Sequence, residues 1–168
     1  MARQAEFEEF TSFVLGSQAR MIRLAELLTG DRGRAEDLAQ EGFARTFVVW
    51  RRVRSGDPAA YARRCIINAN TDWRRRRSWY EQPRPDAPDG PASADVAAAL
   101  AERDVVLRAL AKLTGRERAV LALRFYLDLS EIQIADELGI AAGTVKSTVA
   151  RALAKLRADA DLRSEATW

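Results

Sequence analysis

The chain predicts an all-α fold of two small helical domains joined by a flexible, proline-rich linker. Three observations lead there. Apolar residues recur at spacings of three and four, with no strand-like alternation. Ala, Leu, Arg and Glu, all good helix formers, dominate both halves. Four of the five prolines (Pro83, Pro85, Pro88, Pro91) fall between Gln82 and Ala94, with Gly90 and Ser93. No helix or ladder survives that proline density, so this stretch reads as a tether. The expected division is residues 1–80, a linker over 81–95, a second domain over 96–162 and a tail over 163–168. Each half is near the lower limit, about 60 residues, for a core that folds alone.

In the first half, Phe7, Phe10, Phe13 and Val14 keep helical spacing, and Met21, Leu24, Leu27 and Leu28 repeat it. Gly16, between the two sets, is expected to weaken or bend that helix. Thr29-Gly30-Asp31 stops it. A second helix begins near Arg32 and places Ala35, Ala39, Phe43, Phe47 and Trp50 on one side. Its other side shows Asp37, Gln40, Glu41 and Ala44. Ser55-Gly56-Asp57-Pro58 is a turn, with Pro58 suited to a helix first turn. A third helix then runs from about Ala59 to Tyr80, with Cys65 in its interior pattern as a small core residue. The second half gives four helices, near Asp95–Lys112, Gly115–Phe125, Ser130–Leu138 and Ala142–Ala158. Thr114 and Ser130 are expected N-caps, and Ser130 with Gln133 matches a capping box.

Composition excludes several functions. The chain has 168 residues, no histidine and one cysteine. Most zinc sites and the His-based nucleophilic triads are therefore absent, and no internal disulfide can form. No window approaches the ~18 apolar residues of a membrane span, so no membrane insertion is expected. Acids Glu6, Glu8 and Glu9 stand where an export signal needs a basic segment, which points to a cytoplasmic protein. Net charge is +3 but unevenly placed. Residues 1–80 hold 15 Arg against 10 acids, and Thr144 to Ala158 hold four basic residues and no acid. A basic surface in each half suggests a polyanion met twice, although charged runs also serve simply as solvated helix faces.

Three segments carry the functional signal. The strongest is Ser130 to Leu156. Ile132, Ala135 and Leu138 form a short apolar face, Gly139 makes the turn, and Val145, Val149, Ala152 and Leu156 continue the buried side. A small residue, a turn glycine and a following valine at this spacing make a helix-turn-helix. Thr144, Lys146, Ser147, Thr148 and Arg151, with Lys155 beyond, then line the second helix, where phosphates and base edges need hydroxyls and cations. A helical hairpin in a plain bundle shares the apolar pattern. The second signal is Trp73-Arg74-Arg75-Arg76-Arg77, followed by Trp79 and Tyr80. Guanidinium groups beside rings suit single-stranded nucleic acid, and Asn68 and Asn70 upstream can read base edges. Four successive arginines point all around a helix, so some must be solvated. A solubilising helix end, or a core Trp73, fits the segment equally well. The third signal is Ala35 to Phe43, where Asp37 and Glu41 share one helix face.

Taken in order, these segments resemble bacterial sigma factors of the extracytoplasmic-function class. Leu27 to Glu41, with its "LLTGDRG" and "AEDL" runs, is similar to the family's core-binding segment. Ala60 to Arg77 resembles the segment that melts and reads the minus-ten promoter element. Gly143-Thr144-Val145-Lys146-Ser147, Arg151-Ala152 and Leu156 match the final helix-turn-helix. The resemblance implies sigma domains 2 and 4 and no cofactor. It implies docking on core RNA polymerase, through the clamp coiled-coil of the largest subunit and the flap of the second-largest. Asp37, Gln40, Glu41 and Ala44 would form the first docking surface, since acids suit a basic partner. Arg54, Ser55, Asn68, Asn70, Trp73, Arg74, Arg75 and Arg76 would handle the minus-ten element. Arg116, Thr144, Lys146, Ser147, Thr148, Arg151 and Lys155 would meet the minus-thirty-five element. An anti-sigma protein is a further candidate partner. Tyr61 stands where the family often has tryptophan, and Thr148 where it often has arginine.

The expected function is thus a promoter-specificity subunit, not an enzyme. The alternative is a stand-alone helix-turn-helix regulator that binds duplex DNA as a dimer. It accounts for Ser130–Leu156 but leaves the acidic face and the Arg/Trp helix of the first half without a role.

Overall fold

A computed structural model describes the backbone of residues 2–77 and 94–165, and side chains over 3–77 and 99–160. The chain divides into two compact units, Met1–Glu81 and Gln82–Trp168. The described elements are all helical. The proline-rich stretch, Trp79, Tyr80 and the last three residues lie outside the described residues.

Unit 1 comprises α1 (Ala2–Thr29), α2 (Arg32–Val48), the single turn α3 (Trp50–Val53) and α4 (Pro58–Arg77). Helix α1 runs unbroken through Gly16. Aromatic packing on its N-terminal side holds it: Phe10 lies 4.8 Å from Phe47 and 5.1 Å from Trp50, and Phe13 lies 5.9 Å from Phe43. Such contacts outweigh the ~1 kcal/mol that glycine costs a helix. Gly30 ends α1 with φ +75, a left-handed conformation natural to glycine. Asp31 then caps α2, its carboxylate accepting from the Arg34 amide at 2.6 Å.

The core of unit 1 is Met21, Leu24 and Leu28 of α1, Leu38 and Phe43 of α2, and Ile66 and Ile67 of α4. Cys65 is buried, and burial pushes its thiol pKa up. Helices α2 and α4 cross closely at Gly42: a Cβ there would meet Ile66 Cγ1 at 2.7 Å and the Ala62 carbonyl at 3.3 Å. The expected buried side of α2 needs correction. Leu38, Gly42 and Thr46 join Ala35, Ala39 and Phe43 inside, whereas Phe47 is 47% exposed. The helix ends at Val48, and Trp50 is buried from the separate turn α3.

Unit 2 comprises α5 (Ala94–Ala111), α6 (Gly115–Leu121), α7 (Glu131–Leu138) and α8 (Ala142–Glu165). Both expected N-caps hold as full capping boxes, Thr114 with Glu117 and Ser130 with Gln133. The α-helical part of α6 stops at Leu121 and passes into a π turn over Ala122–Tyr126, short of the expected uniform helix. Helix α8 runs past Ala158 to Glu165. Leu113, Leu121 and Ala152 form a core cluster with Leu110, Val149, Leu153 and Leu156, while Leu123, Ile134 and Val145 are fully buried. Ile134, not Ile132, anchors α7: Ile132 is 76% exposed. Two residues along a helix are about 200° around it, so the two isoleucines cannot both face inward. Gly139 makes the turn into α8 with φ +64 and ψ +39.

Candidate nucleic-acid and partner-binding interfaces

The first candidate surface lies on α2. Burial of Ala35, Leu38, Ala39, Gly42 and Phe43 fixes the rotation of the helix, so Asp37, Gln40, Glu41 and Ala44 are all exposed on the opposite side. Glu41 accepts from Arg45 at 2.6 Å, an exposed pair that a competing cation can displace. The face continues into apolar surface that the sequence reading missed. Val48 is 83% exposed, and it lies eleven residues after Asp37, seven after Glu41 and four after Ala44, on the same side. Exposed Phe7 packs edge-on to Phe47 at 6.4 Å beside it. An open groove there is lined by Phe7, Phe47, Val48, Arg51 and Arg52. The heptad spacing from Glu41 was the signal that marks Val48.

The second surface is the end of α4 with the turn before it. Asn68 is exposed, as are Arg75 and Arg76, while Trp73 and Arg74 are half-buried. Asn70 needs correction: it is 4% exposed with Oδ1 buried, so it cannot reach a base edge from this position. It sits among the buried positions Ile66, Ile67 and Ala69 of the same helix. Arg54 and Ser55 are exposed in the turn after α3, and Arg54 is held by Glu9 at 2.7 Å. Glu6 holds Arg51 through two bonds, at 2.7 and 3.0 Å. That bond lowers the Glu6 pKa and raises that of Arg51.

The third surface is the N-terminal half of α8. Lys146, Ser147 and Arg151 are exposed and Thr144 half-buried. Arg116, in the first turn of α6, is also exposed. One expected member, Thr148, is buried, and another, Lys155, is exposed but ion-paired. Thr148 is 1% exposed, one turn after Val145 on the buried side, and its hydroxyl accepts from Arg151 Nη2 at 3.3 Å. Lys155 Nζ donates to both Glu117 carboxylate oxygens, at 2.8 and 2.9 Å. Glu117 is 5% exposed, and the Lys155 bond, aided by the Thr114 amide, holds its pKa below the ordinary 4.5. Lys155 therefore ties α8 to the capped start of α6.

Among the described residues no group of His, Cys, Asp or Glu is placed to hold a metal, and no helix is long and apolar enough to cross a membrane. What the geometry defines is a helical protein with a helix-turn-helix unit, an arginine-ended helix and an exposed acidic helix face. Comparison with known proteins narrows that class. Residues 14–80 match the sigma-70 region 2 family model, and residues 103–156 match sigma-70 region 4. The chain is 38% identical over 153 residues to an RNA polymerase sigma-E factor of Streptomyces coelicolor, covering 90% of this chain and 86% of that protein. It is 36% identical to the ECF RNA polymerase sigma factor SigL of Mycobacterium tuberculosis, over 83% of this chain and 81% of that one. Among solved structures it is similar to the sigma factor RpoE in complex with the anti-sigma factor NepR from Bartonella quintana. That match has a TM-score of 0.69 at 21% identity, over 89% of this chain and 95% of that one. The chain belongs to the extracytoplasmic-function sigma factors of the sigma-70 family. Its function is promoter specificity in transcription initiation, and sigma factors are initiation factors rather than enzymes. The dimeric stand-alone regulator is not favoured, because region 2 spans most of the first half.

Proposed function

We propose that unit 1 docks on core RNA polymerase and captures the melted minus-ten element, while unit 2 reads the minus-thirty-five element. The observation that carries this is that unit 1 exposes acids on α2 and arginines at the end of α4. Asp37, Gln40, Glu41 and Ala44 are exposed on α2, whereas Arg75 and Arg76 are exposed at the end of α4. One surface suits the basic clamp coiled-coil of the largest polymerase subunit, with Phe47 and Val48 adding apolar area at its end. The other suits phosphates and unstacked bases, with Arg54, Ser55, Asn68, Trp73 and Arg74 contributing. In unit 2, Thr144, Lys146, Ser147 and Arg151 enter the major groove, and Arg116 meets a phosphate. The flap of the second-largest subunit engages the same unit.

In this reading the chain works in the cytoplasm and catalyses nothing. Its binding energy for separated bases stabilises the open promoter, and polymerase supplies the chemistry. The solved relative bound to an anti-sigma factor supports the same class of regulator here. Run-off transcription from genomic fragments with core polymerase tests the proposal. The chain is expected to direct initiation from a defined subset of fragments, and Lys146→Ala with Arg151→Ala is expected to abolish that selection. Initiation indifferent to the added chain would overturn it.

A further inference from the structure

Four consecutive arginines end α4, and the structure divides them. Arg75 and Arg76 face solvent, while Arg74 and Arg77 are half-buried. The Arg77 guanidinium lies 4.9 Å from the centre of the Trp73 ring. A nearer cation reaches the same ring from another helix. Arg34 of α2 stacks on Trp73 at 3.6 Å, the distance of direct guanidinium–ring contact. Arg34 is fixed at both ends. Its amide is bound by the α2 cap, Asp31, at 2.6 Å. Its Nε is buried with no hydrogen-bond partner, so it is shielded from water. Burial lowers its pKa, and Asp37 and Glu41 oppose that shift. The close crossing at Gly42 keeps α2 and α4 in one register, so Arg34 always meets the same turn of α4.

The last turn of α4 needs such an anchor. Like charges three apart repel along a helix face, and helix ends fray where their last carbonyls lack partners. Within the sigma-factor reading above, that turn is also the one that must meet the separated strand.

We propose that Arg34 is a positioning residue for promoter melting: stacked on Trp73, it holds the last turn of α4 so that Arg75 and Arg76 face the non-template strand. Arg34 itself touches neither polymerase nor DNA. The acidic docking face and the arginine end are thereby joined through one side chain on α2.

The test uses the full chain with core polymerase on a promoter mapped for it, comparing wild type, Arg34→Ala, Arg34→Lys, Trp73→Leu and the double variant Arg34→Ala/Trp73→Leu. Three quantities are read: core affinity, opening rate by permanganate reactivity of unpaired thymines, and hydrogen exchange of the α4 amides. Arg34→Ala is expected to bind core as wild type does, to open the promoter about five- to ten-fold more slowly, and to exchange faster only in the last turn of α4. Arg34→Lys, which keeps charge but loses the planar stack, restores less than half of the loss. Trp73→Leu gives a loss that does not add to that of Arg34→Ala. Opening at the wild-type rate by Arg34→Ala, or additive losses, would overturn the proposal. So would accelerated exchange throughout unit 1, which marks a merely structural contact. If Arg34→Ala does not fold, the exchange pattern and opening rate of Trp73→Leu and Arg34→Lys decide it. A wild type that fails to bind core overturns the sigma-factor reading instead.

Discussion

Asp31 and Glu117 show how single carboxylates set the geometry of the two units. Asp31 accepts from the Arg34 amide and starts α2 at a fixed point, which sets where Asp37, Gln40, Glu41 and Ala44 fall on that helix. Asp31→Ala is expected to lower the stability of unit 1 by about 1 kcal/mol. Urea unfolding followed by tryptophan fluorescence measures it, since Trp50, Trp73 and Trp79 all lie in that half. Glu117 does comparable work in unit 2, capping α6 and receiving Lys155 from α8. Its pKa is lowered in the folded state. Its contribution is therefore present above the unfolded value and lost as pH falls through the folded one. Hydrogen exchange in α6 and α8 is expected to accelerate below pH 4.5 in the wild type. Glu117→Gln should be less protected at neutral pH and show a flatter pH dependence. At this scale the sequence was only partly legible. Thr114 and Ser130 declared themselves by the residues three further on. Asn70, Thr148 and Lys155 did not, because each is a polar residue on a basic helix, and only the helix rotation shows that two are buried. The Glu117–Lys155 pair spans 38 residues, beyond the reach of local spacing.

At the scale of elements, the α2–α4 crossing governs unit 1. A Cβ at Gly42 would press on Ile66 and on the Ala62 carbonyl, and the backbone atom cannot rotate away. Gly42→Ala is expected to cost about 1–3 kcal/mol, read as a lower urea midpoint with an unchanged slope. In unit 2, Gly139 holds φ +64 at the turn between α7 and α8. Gly139→Ala places a side chain in that left-handed conformation and is expected to cost about 1–2 kcal/mol, with weaker duplex DNA binding as the second readout. Helix existence was readable from apolar spacing except for the single turn α3. Helix ends and faces were less so. Phe47 continues the apolar series of α2 by sequence, yet α2 ends one residue later and Trp50 fills the core from its own turn. The π turn after α6 likewise leaves no mark in residue spacing, since its extra residue shifts the phase only after Leu121.

In the proposed function, the whole molecule joins two small units that each meet part of one assembly. Linked recognition makes weak individual contacts sufficient, with an effective concentration set by the tether. Lys146→Ala is expected to weaken binding to the mapped minus-thirty-five element and to reduce the slope of log affinity against log salt by about 1. A fluorescence-anisotropy titration of the holoenzyme across salt concentrations checks it. The presence of two units and the order of sigma-70 regions 2 and 4 were legible from the proline cluster and three motifs. The exposure of Phe47 was hidden, because exposure of a large apolar residue contradicts the amphipathic rule that placed it inside. The central claim is that the acidic face of α2 docks on polymerase. The most direct measurement is the affinity of core RNA polymerase from a Streptomyces species for wild type and for Asp37→Arg/Glu41→Arg. Like charges brought together at an interface cost several kcal/mol, so the double reversal is expected to bind at least about 100-fold more weakly while keeping the wild-type fold by circular dichroism. Equal affinity of the two proteins for core would contradict the account.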